Sequence, residues 1–385
     1  MVTTADVSEI GPSAALSGGE VIDEGGSPVT ERGICWAAGE IPTIYDHKTT
    51  DGLGPGRFTS QLSGLEGHTR YYVRAYAINE AGTSYGNLLQ FTTEPDAVIN
   101  YTEENGFPVS NVTSLVIDSQ DNVWMGTFNG LVRFDGQSWT TFTTADGLPH
   151  NRINALALDV EENVWAGTVS DGVVKFDGST FTHFSVADGL YSDRIYSLYA
   201  DDDGNILIGT GSNRLTRFDG SSFIHTHINP EAAGPGGHIH AIATGPDGRI
   251  WVGSCISGLS VYDGDQWIDR VNNLNVFIRA LFADSAGNIW VSSLPLGLFR
   301  YAAGEWENFS APDDTGLSFV YAIAEAGDAS LWFGGPEGLA ILENEQWWQL
   351  TPDDGLPEHG VSSLAADSEG HVWAGGARGV SRILR

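Results

Sequence analysis

The sequence predicts an all-β protein in which a β-sandwich is followed by a seven-bladed β-propeller. Three observations lead to this prediction. A segment of about 40 residues recurs seven times in 98–385, as in propeller blades. Each copy divides into four short strands bounded by turn residues, and no stretch of the chain shows a helical period. Residues 1–95 lack the repeat, so we assign 1–95 to the sandwich and 96–385 to the propeller.

Each copy of the repeat is anchored by one large side chain, at spacings of 39 to 44 residues. The seven anchors are Trp124, Trp165, Leu207, Trp251, Trp290, Trp332 and Trp373. A small residue stands ten positions before each anchor, and an aliphatic residue follows that small one. The small residue fits the crowded strand nearest a propeller axis, and the aliphatic and Trp positions fit packing between blades. Glycine follows two positions after the anchor in six copies, and Ser292 is the exception.

The first copy illustrates the four strands of a blade. We expect them at 112–118, 123–128, 131–135 and 138–144. Asp-Gly follows the third strand at 135–136, 177–178, 219–220 and 263–264. Asp-Gly is typical of tight hairpins, because both residues tolerate positive φ.

The last copy has only three strands, and the missing one is found at the start of the repeat region. Residues 98–115 align without gaps to 139–156, which leaves 98–103 as an unmatched fourth strand. We expect this strand to pair with the last blade and close the ring. Closure is favoured because it removes the free sheet edges.

The motif in 121–149, DNVWMGTFNGLVRFDGQSWTTFTTADGLP, resembles the two-component regulator propeller repeat. That family is known from sensor regions of bacterial hybrid two-component systems that respond to polysaccharide fragments. The resemblance covers about three quarters of the chain and implies an extracytoplasmic location. Similar blades also occur in secreted propellers and in streptogramin-type lyases. In those sensors two propellers precede further domains, whereas this chain has one propeller.

The N-terminal segment resembles a different module. Residues 65–93, LEGHTRYYVRAYAINEAGTSYGNLLQFTT, are similar to the last strands of a fibronectin type III-like domain. Tyr71 or Tyr72 stands where such domains place a corner tyrosine, and Trp36 is expected in a buried strand. The resemblance implies a spacer or adhesion unit. The short segment 94–98 leaves little linker before the propeller.

Charge and composition exclude several classes of protein. The chain has 385 residues, 50 acidic and 18 basic, for a formal net charge of −32. A chain this acidic is not expected to bind nucleic acid, which requires Lys and Arg against phosphates. No apolar run reaches the 18 residues of a membrane span. The two cysteines, Cys35 and Cys255, have neither zinc spacing nor a common domain.

The candidate binding site lies on the propeller face that carries the loops entering each first strand. These loops include 146–152, 188–194, 234–238 and 354–360. Two positions there vary between copies, where function can differ from fold. We select from them Arg152, Asn154, Arg194, Tyr196, His238, His240, Phe277, Arg279, Phe319 and Tyr321. Arginine binds carboxylates in a bidentate manner, and aromatic rings can stack on sugars. The competing interpretation is that these are solvated loop residues or aromatics that pack blades.

These observations favour a non-catalytic, extracytoplasmic module that binds an acidic polysaccharide or oligosaccharide. One alternative is an adhesin or assembly subunit that contacts protein partners. Another is a polysaccharide or streptogramin-type lyase, with His238 or His240 as a general base. The same H-x-H pair could hold a metal, but no third ligand is identifiable.

No resident cofactor is predicted, although Ca²⁺ or Mg²⁺ at the Asp-rich turns is an alternative. The turn 201–205, DDDGN, resembles part of a calcium loop. Position 12 of that loop is Ser212 instead of the bidentate Glu, so we interpret 201–205 as a structural turn.

Overall fold

A computed structural model describes residues 1–65, 67, 69–93, 97–109, 111–211, 214–228, 237–269, 274, 276–294, 296–308, 319–356 and 360–384. The predicted all-β class is confirmed, since the only helices in these ranges are three single-turn 3-10 helices. They are Glu103–Asn105, Val186–Asp188 and Pro352–Asp354. No described helix has the length and apolar character to span a bilayer. The chain divides into two compact units: Met1–Val98 with 383–385, and Ile99–Arg382.

The N-terminal unit is built from two antiparallel sheets. The first has the order β1-β2-β5, and the second has the order β4-β3-β6-β7 with β8 also paired to β6. The strands are β1 (Val2–Ser8), β2 (Ala14–Val21), β3 (Glu31–Ala38), β4 (His47–Lys48), β5 (Gly56–Ser63), β6 (Arg70–Asn79), β7 (Gly82–Tyr85) and β8 (Leu89–Thr92). Both sheets contribute to one core, which includes Leu62, Val73 and Trp36. Tyr71 is buried and stacks on Phe91, with 5.8 Å between ring centroids.

The second unit contains seven four-stranded sheets, which confirms the predicted seven-bladed propeller. Strand β9 (Ala97–Thr102) precedes the first blade. The first three blades contain β10 (Val112–Ile117), β11 (Val123–Thr127), β12 (Leu131–Phe134), β13 (Trp139–Phe142), β14 (Ile153–Leu158), β15 (Val164–Thr168), β16 (Val173–Phe176), β17 (Phe181–Phe184), β18 (Ile195–Ala200), β19 (Ile206–Thr210), β20 (Arg214–Phe218) and β21 (Phe223–His227).

The next two blades contain β22 (Ile239–Thr244), β23 (Ile250–Ser254), β24 (Leu259–Tyr262), β25 (Trp267–Asp269), β26 (Phe277–Ala283), β27 (Ile289–Leu294), β28 (Gly297–Ala302) and β29 (Glu305–Asn308). The last two contain β30 (Ala322–Glu325), β31 (Leu331–Gly335), β32 (Gly338–Glu343), β33 (Gln346–Leu350), β34 (Val361–Ala366), β35 (Val372–Gly376) and β36 (Gly379–Leu384).

The blades form a closed ring. The first strand of each blade packs against the first strand of the next, and β34 of the last blade packs against β10 of the first. The last sheet has the order β34-β35-β36-β9, so the strand before the first blade completes the seventh. The side chain of Asn100 supports this pairing: its Oδ1 accepts a hydrogen bond from Ser381 at 2.6 Å.

The glycine two positions after the anchor is explained by close packing between blades. A Cβ atom on Gly126 would lie 2.8 Å from Cγ2 of Ile153, the first residue of the next inner strand. The fifth blade replaces this glycine with Ser292, which is buried and donates a hydrogen bond to the carbonyl of Val320 at 2.7 Å. The anchor also packs across blades as expected, since Trp124 shares a core cluster with Leu156 and Val164 of the second blade.

The Asp-Gly turns differ from expectation in one respect. Gly136 has positive φ, but Asp135 is absent from the described residues with positive φ. The Asp135 carboxylate instead accepts hydrogen bonds from the backbone N–H groups of Gln137 and Ser138. The aspartate therefore contributes through its side chain, as in an Asx turn.

Some sequence expectations concern residues outside the described ranges. They are parts of the loops 234–238 and 354–360, the linker residues 94–96, and Ser212.

Candidate functional site

The candidate site is a central cavity of about 1460 Å³ in the propeller. The inner strand of every blade contributes to its wall, so seven similar segments surround one space. The small residues found in the repeat all line it, which confirms their predicted position near the axis. They are Ser114, Ala155, Ser197, Ala241, Ala280, Ala322 and Ser363.

The charge of the cavity wall is opposite to that of the whole chain. Arg152, Arg194 and Arg279 line the cavity, and none of its lining residues in the described ranges is Asp or Glu. Arg152 and Arg194 are exposed and Arg279 is half-buried. Within the described residues, none of these three guanidinium groups forms an ion pair. An anion at the wall would therefore meet no fixed negative charge there.

Basic residues outside the cavity have a different role. Arg133, Lys175, Arg300 and Arg382 each lie 5.4 to 5.7 Å from the ring of the Trp anchor in their own blade. Each also forms an ion pair, with Asp135, Asp159, Glu307 and Asp367 respectively. These four cations stabilise the blade, which leaves the cavity arginines as a distinct group.

Aromatic rings support two of the cavity arginines. The guanidinium carbon of Arg152 lies 4.1 Å from the centroid of the Phe128 ring, and that of Arg279 lies 5.6 Å from the Tyr321 ring. Such cation–π contacts orient a guanidinium group without neutralising it. The N–H donors of both arginines therefore remain available to an anionic group.

A row of aromatic rings connects three neighbouring blades. The Tyr196 ring stacks on the His238 ring at 4.3 Å and meets His240 edge-on at 5.3 Å. The His240 ring in turn lies 4.8 Å from that of Phe277. Tyr196 and His240 line the cavity, whereas His238 and Phe277 contact them but are not among its lining residues.

His240 and Arg279 both line the cavity and have shifted pKa values. Burial lowers the pKa of His240 to about 4, assisted by the positive charges of Arg279 and His238. Burial also lowers the pKa of Arg279 from its ordinary value. At neutral pH the imidazole of His240 is uncharged, while the guanidinium group keeps its proton.

Asn154 and Phe319 are the two remaining residues of the predicted set. Asn154 lines the cavity, but its Nδ2 donates a hydrogen bond to the carbonyl of Ile195 in the next blade at 2.9 Å. Thr113 and Ser362 make equivalent bonds to the next blade, so this position also joins blades. Phe319 is 38% exposed and does not line the cavity. The role of both residues in binding stays a prediction.

The structure adds residues that the sequence reasoning did not select. The residue four positions after each anchor lies on the same face, because it follows the strand paired with the inner strand. Four such residues line the cavity, namely Phe128, Val169, Pro336 and Ala377. Two further arginines lie at the starts of third strands at this face. Arg214 is the first residue of β20 and lies 4.5 Å from the exposed Tyr191 ring, and Arg378 immediately precedes β36. The variability of this third position was visible in the repeat alignment and could have identified Phe128.

The Asp-rich turn 201–205 is held by its own hydrogen bonds. Oδ1 of Asp201 accepts from the backbone N–H groups of Asp203 and Asn205 and from the Asn205 amide. This geometry supports the interpretation as a structural turn. Among the described residues, no group of three or more His, Cys, Asp or Glu side chains is arranged to hold a metal.

Comparison with known proteins supports the assignment of the repeat. The family model "Two component regulator propeller" matches residues 106–129, 192–212 and 233–255. No curated protein matches the chain.

Two solved structures show the extent of the shared fold. The extracellular domain of BT3049, a putative hybrid two-component system protein from B. thetaiotaomicron, is 20% identical with a TM-score of 0.64. The match covers 74% of this chain but only 41% of that one, so the chain spans about two fifths of that domain. Virginiamycin B lyase from Staphylococcus aureus is 13% identical with a TM-score of 0.61, and the match covers 75% of this chain and 99% of the lyase. Three segments of the chain thus match the two-component regulator propeller model, and both solved structures share its propeller fold.

Proposed function

We propose that the chain is a non-catalytic, extracytoplasmic module that binds an acidic polysaccharide or oligosaccharide in the central cavity. One observation carries this proposal. In a chain of net charge −32, the cavity wall presents three arginines and no carboxylate among its described lining residues. A random distribution of 50 acidic and 18 basic residues would not favour such a wall.

The chemistry of the wall selects the class of ligand. Arginine forms bidentate hydrogen bonds with carboxylate and sulfate groups, which uronates and sulfated sugars carry. Tyr196 and Tyr321 present aromatic rings at the same wall, on which sugar rings can stack. A volume near 1460 Å³ exceeds the roughly 300–1,000 Å³ of ordinary small-molecule pockets. The space therefore fits several sugar units better than a single small metabolite.

The cellular setting is inferred from the comparisons. The solved BT3049 structure is the extracellular domain of a putative hybrid two-component system protein. Three segments of this chain match the two-component regulator propeller family model. We infer an extracytoplasmic location and a sensor-like role in ligand recognition. The N-terminal unit is proposed to be a fibronectin type III-like spacer, which its three-stranded and five-stranded sheets support.

Calorimetric titration with oligogalacturonate, and with a neutral oligosaccharide of equal length, tests the proposal. We expect binding of the acidic ligand only, weakened about tenfold or more by Arg152→Gln, Arg194→Gln or Arg279→Gln. Arg217→Gln is the matched control, because Arg217 is exposed on β20 and does not line the cavity. Equal binding of both sugars, or an unchanged affinity in all three variants, would remove the site. New ultraviolet absorbance from unsaturated products would show a lyase instead.

A further inference from the structure

The cavity contains one positive charge that lacks a counter-charge and is also withdrawn from solvent. Arg279 lies on β26, is half-buried, and lines the cavity. Its guanidinium group faces the Tyr321 ring, and it forms no ion pair with a described acid. Burying an unpaired charge is costly, so such groups are normally paired with an opposite charge or a bound ion. The downward shift in the pKa of Arg279 reflects this loss of hydration.

A second ionisable group stands at the equivalent position of the neighbouring inner strand. His240 on β22 lines the same cavity, and the charge of Arg279 disfavours its protonation. The titratable groups around the imidazole, among the described residues, are Tyr196 from β18, His238 from the preceding loop, and Arg279 from β26. Phe277 supplies the remaining ring contact. No described carboxylate is among these neighbours, so none of them favours the imidazolium form.

We propose that Arg279 and His240 together form a subsite for one anionic oxygen group of the ligand, a carboxylate or a sulfate, and that His240 takes up a proton when this group binds. The inference rests on the proposed function for the identity of the natural ligand. The subsite itself is defined by the pairing of an uncompensated arginine with a neutral imidazole at one part of the wall.

The coupling follows from electrostatics. Without an anion, charging both Arg279 and His240 is unfavourable, because the two positive charges repel each other. The arginine is the more basic side chain, so it stays protonated and the imidazole stays neutral. An anion at the arginine reverses the sign of the local field, so the imidazolium form becomes favourable and can donate a second charge-assisted hydrogen bond. By linkage, if binding raises the pKa of His240, affinity must increase as the pH falls toward the pKa of the free protein. The increase cannot exceed about tenfold per pH unit for a single proton.

Inorganic sulfate is a suitable probe, because it stays charged over the relevant range. We expect its affinity for the full chain to rise between about pH 7 and about pH 5, within the limit of about tenfold per unit. Calorimetry in buffers of different protonation enthalpy should record uptake of up to one proton. His240→Gln should abolish the pH dependence and the uptake, while retaining sulfate binding at neutral pH. Arg279→Gln should weaken sulfate binding at every pH, and Arg217→Gln should behave as wild type.

A spectroscopic measurement separates the subsite from a general change in stability. The protein is labelled at its imidazole carbons, and the signal absent from His240→Gln is assigned to His240. This signal should titrate at a higher pH when sulfate is added. Histidine signals other than those of His238 and His240 should not respond to sulfate. Circular dichroism at each pH confirms that the variants are folded.

Two results would overturn the proposal. Sulfate binding that is independent of pH, or proton uptake that persists in His240→Gln, excludes the coupling to His240. Either result leaves the acidic-glycan function intact, because the rim arginines Arg152 and Arg194 do not depend on it. Conversely, pH-linked sulfate binding with no affinity for acidic oligosaccharides would support the subsite and reject the glycan function.

Discussion

The indole Nε1 of Trp165 donates a hydrogen bond to Oδ2 of Asp159 at 2.8 Å, and both residues are buried. Four blades share this contact between the anchor and the aspartate six positions before it. The fourth blade has Gly245 at the aspartate position, and the Nε1 of Trp251 is buried with no partner among the described residues. The bond thus joins the turn after the inner strand to the anchor of the second strand.

Asp159→Ala should destabilise the propeller substantially. The substitution leaves the Trp165 indole without an acceptor and Lys175 without one of its carboxylates. We expect the free energy of unfolding to fall by about 2–3 kcal/mol, measured by chemical denaturation. Asp135→Ala serves as the comparison, because that aspartate is exposed and contacts only its own turn and Arg133, not a Trp anchor. Equal losses in the two variants would contradict the importance of the Trp contact.

Stability should also fall in acid because of these carboxylates. Burial alone would raise the pKa of Asp159, but hydrogen bonds from Trp165 and Asn163 and the charge of Lys175 bring it below its ordinary value. A depressed folded pKa gives stability that is present above the unfolded pKa, near 4, and is lost as the pH falls further. The pKa of Asp121 is lowered likewise, chiefly by hydrogen bonds from Ser368. Thermal melts below about pH 4 should show this loss.

His240 should add a separate dependence at higher pH. Its pKa of about 4 in the fold lies below the ordinary value of 6.5, so the unfolded chain binds the proton more readily. The ligand-free protein should therefore lose stability as the pH falls from about 6.5 to about 4, by up to roughly 3 kcal/mol. His240→Gln should flatten this part of the profile. A wild-type profile that is already flat there would show that His240 is not held neutral.

Gly126→Ala should disturb the contact between the first two blades. The added methyl would meet Ile153 at 2.8 Å and Thr113 at 3.2 Å. Overpacking of this kind costs about 1–3 kcal/mol. Ser292→Ala, at the equivalent position of the fifth blade, removes only a hydroxyl and should cost about 1 kcal/mol. A Gly126→Ala protein that unfolds at the wild-type denaturant concentration would disprove the close approach.

Phe128→Ala tests the rim residue that the sequence reasoning missed. The ring is 39% exposed and lies under Arg152, so its loss should leave stability within about 0.5 kcal/mol of wild type. Affinity for the acidic oligosaccharide should fall by about 1 kcal/mol, roughly fivefold, because the guanidinium group loses its support. Tyr45→Ala is the control, since this ring is 91% exposed in the N-terminal unit. Wild-type affinity in Phe128→Ala would exclude the residue from the site.

The blades could be predicted from the sequence because each copy repeats the same physical requirements. Gly126 and its equivalents leave room for the next blade, Ser114 and its equivalents fit the axis, and the Trp anchors recur at nearly constant spacing. Seven independent copies make such requirements visible without any other sequence.

The binding site was harder to predict, because its residues are those that differ between copies of the repeat. A residue that differs between copies can contact a ligand or can join neighbouring blades, and the sequence does not distinguish these two roles. Asn154 was selected as variable, yet its amide is bonded to the next blade. Phe128 varied equally and lies after the second strand, where the pairing of β11 with β10 brings it to the same face. The absence of carboxylates from the described wall depends on the full set of lining residues and could not be read from spacing.

The pairing of β9 with β36 has a consequence for how the protein is made. Asn100 and Ser381 meet across 281 positions of the chain. Strand β9 is synthesised before all the blades, but it cannot pair until β36 of the seventh blade has been synthesised. Individual blades can form in order, but the ring closes only in a final step of high contact order. Until then β9 is an unpaired strand that can add to the open seventh blade of another copy. Refolding at high protein concentration should consequently yield strand-exchanged oligomers in competition with closed monomers.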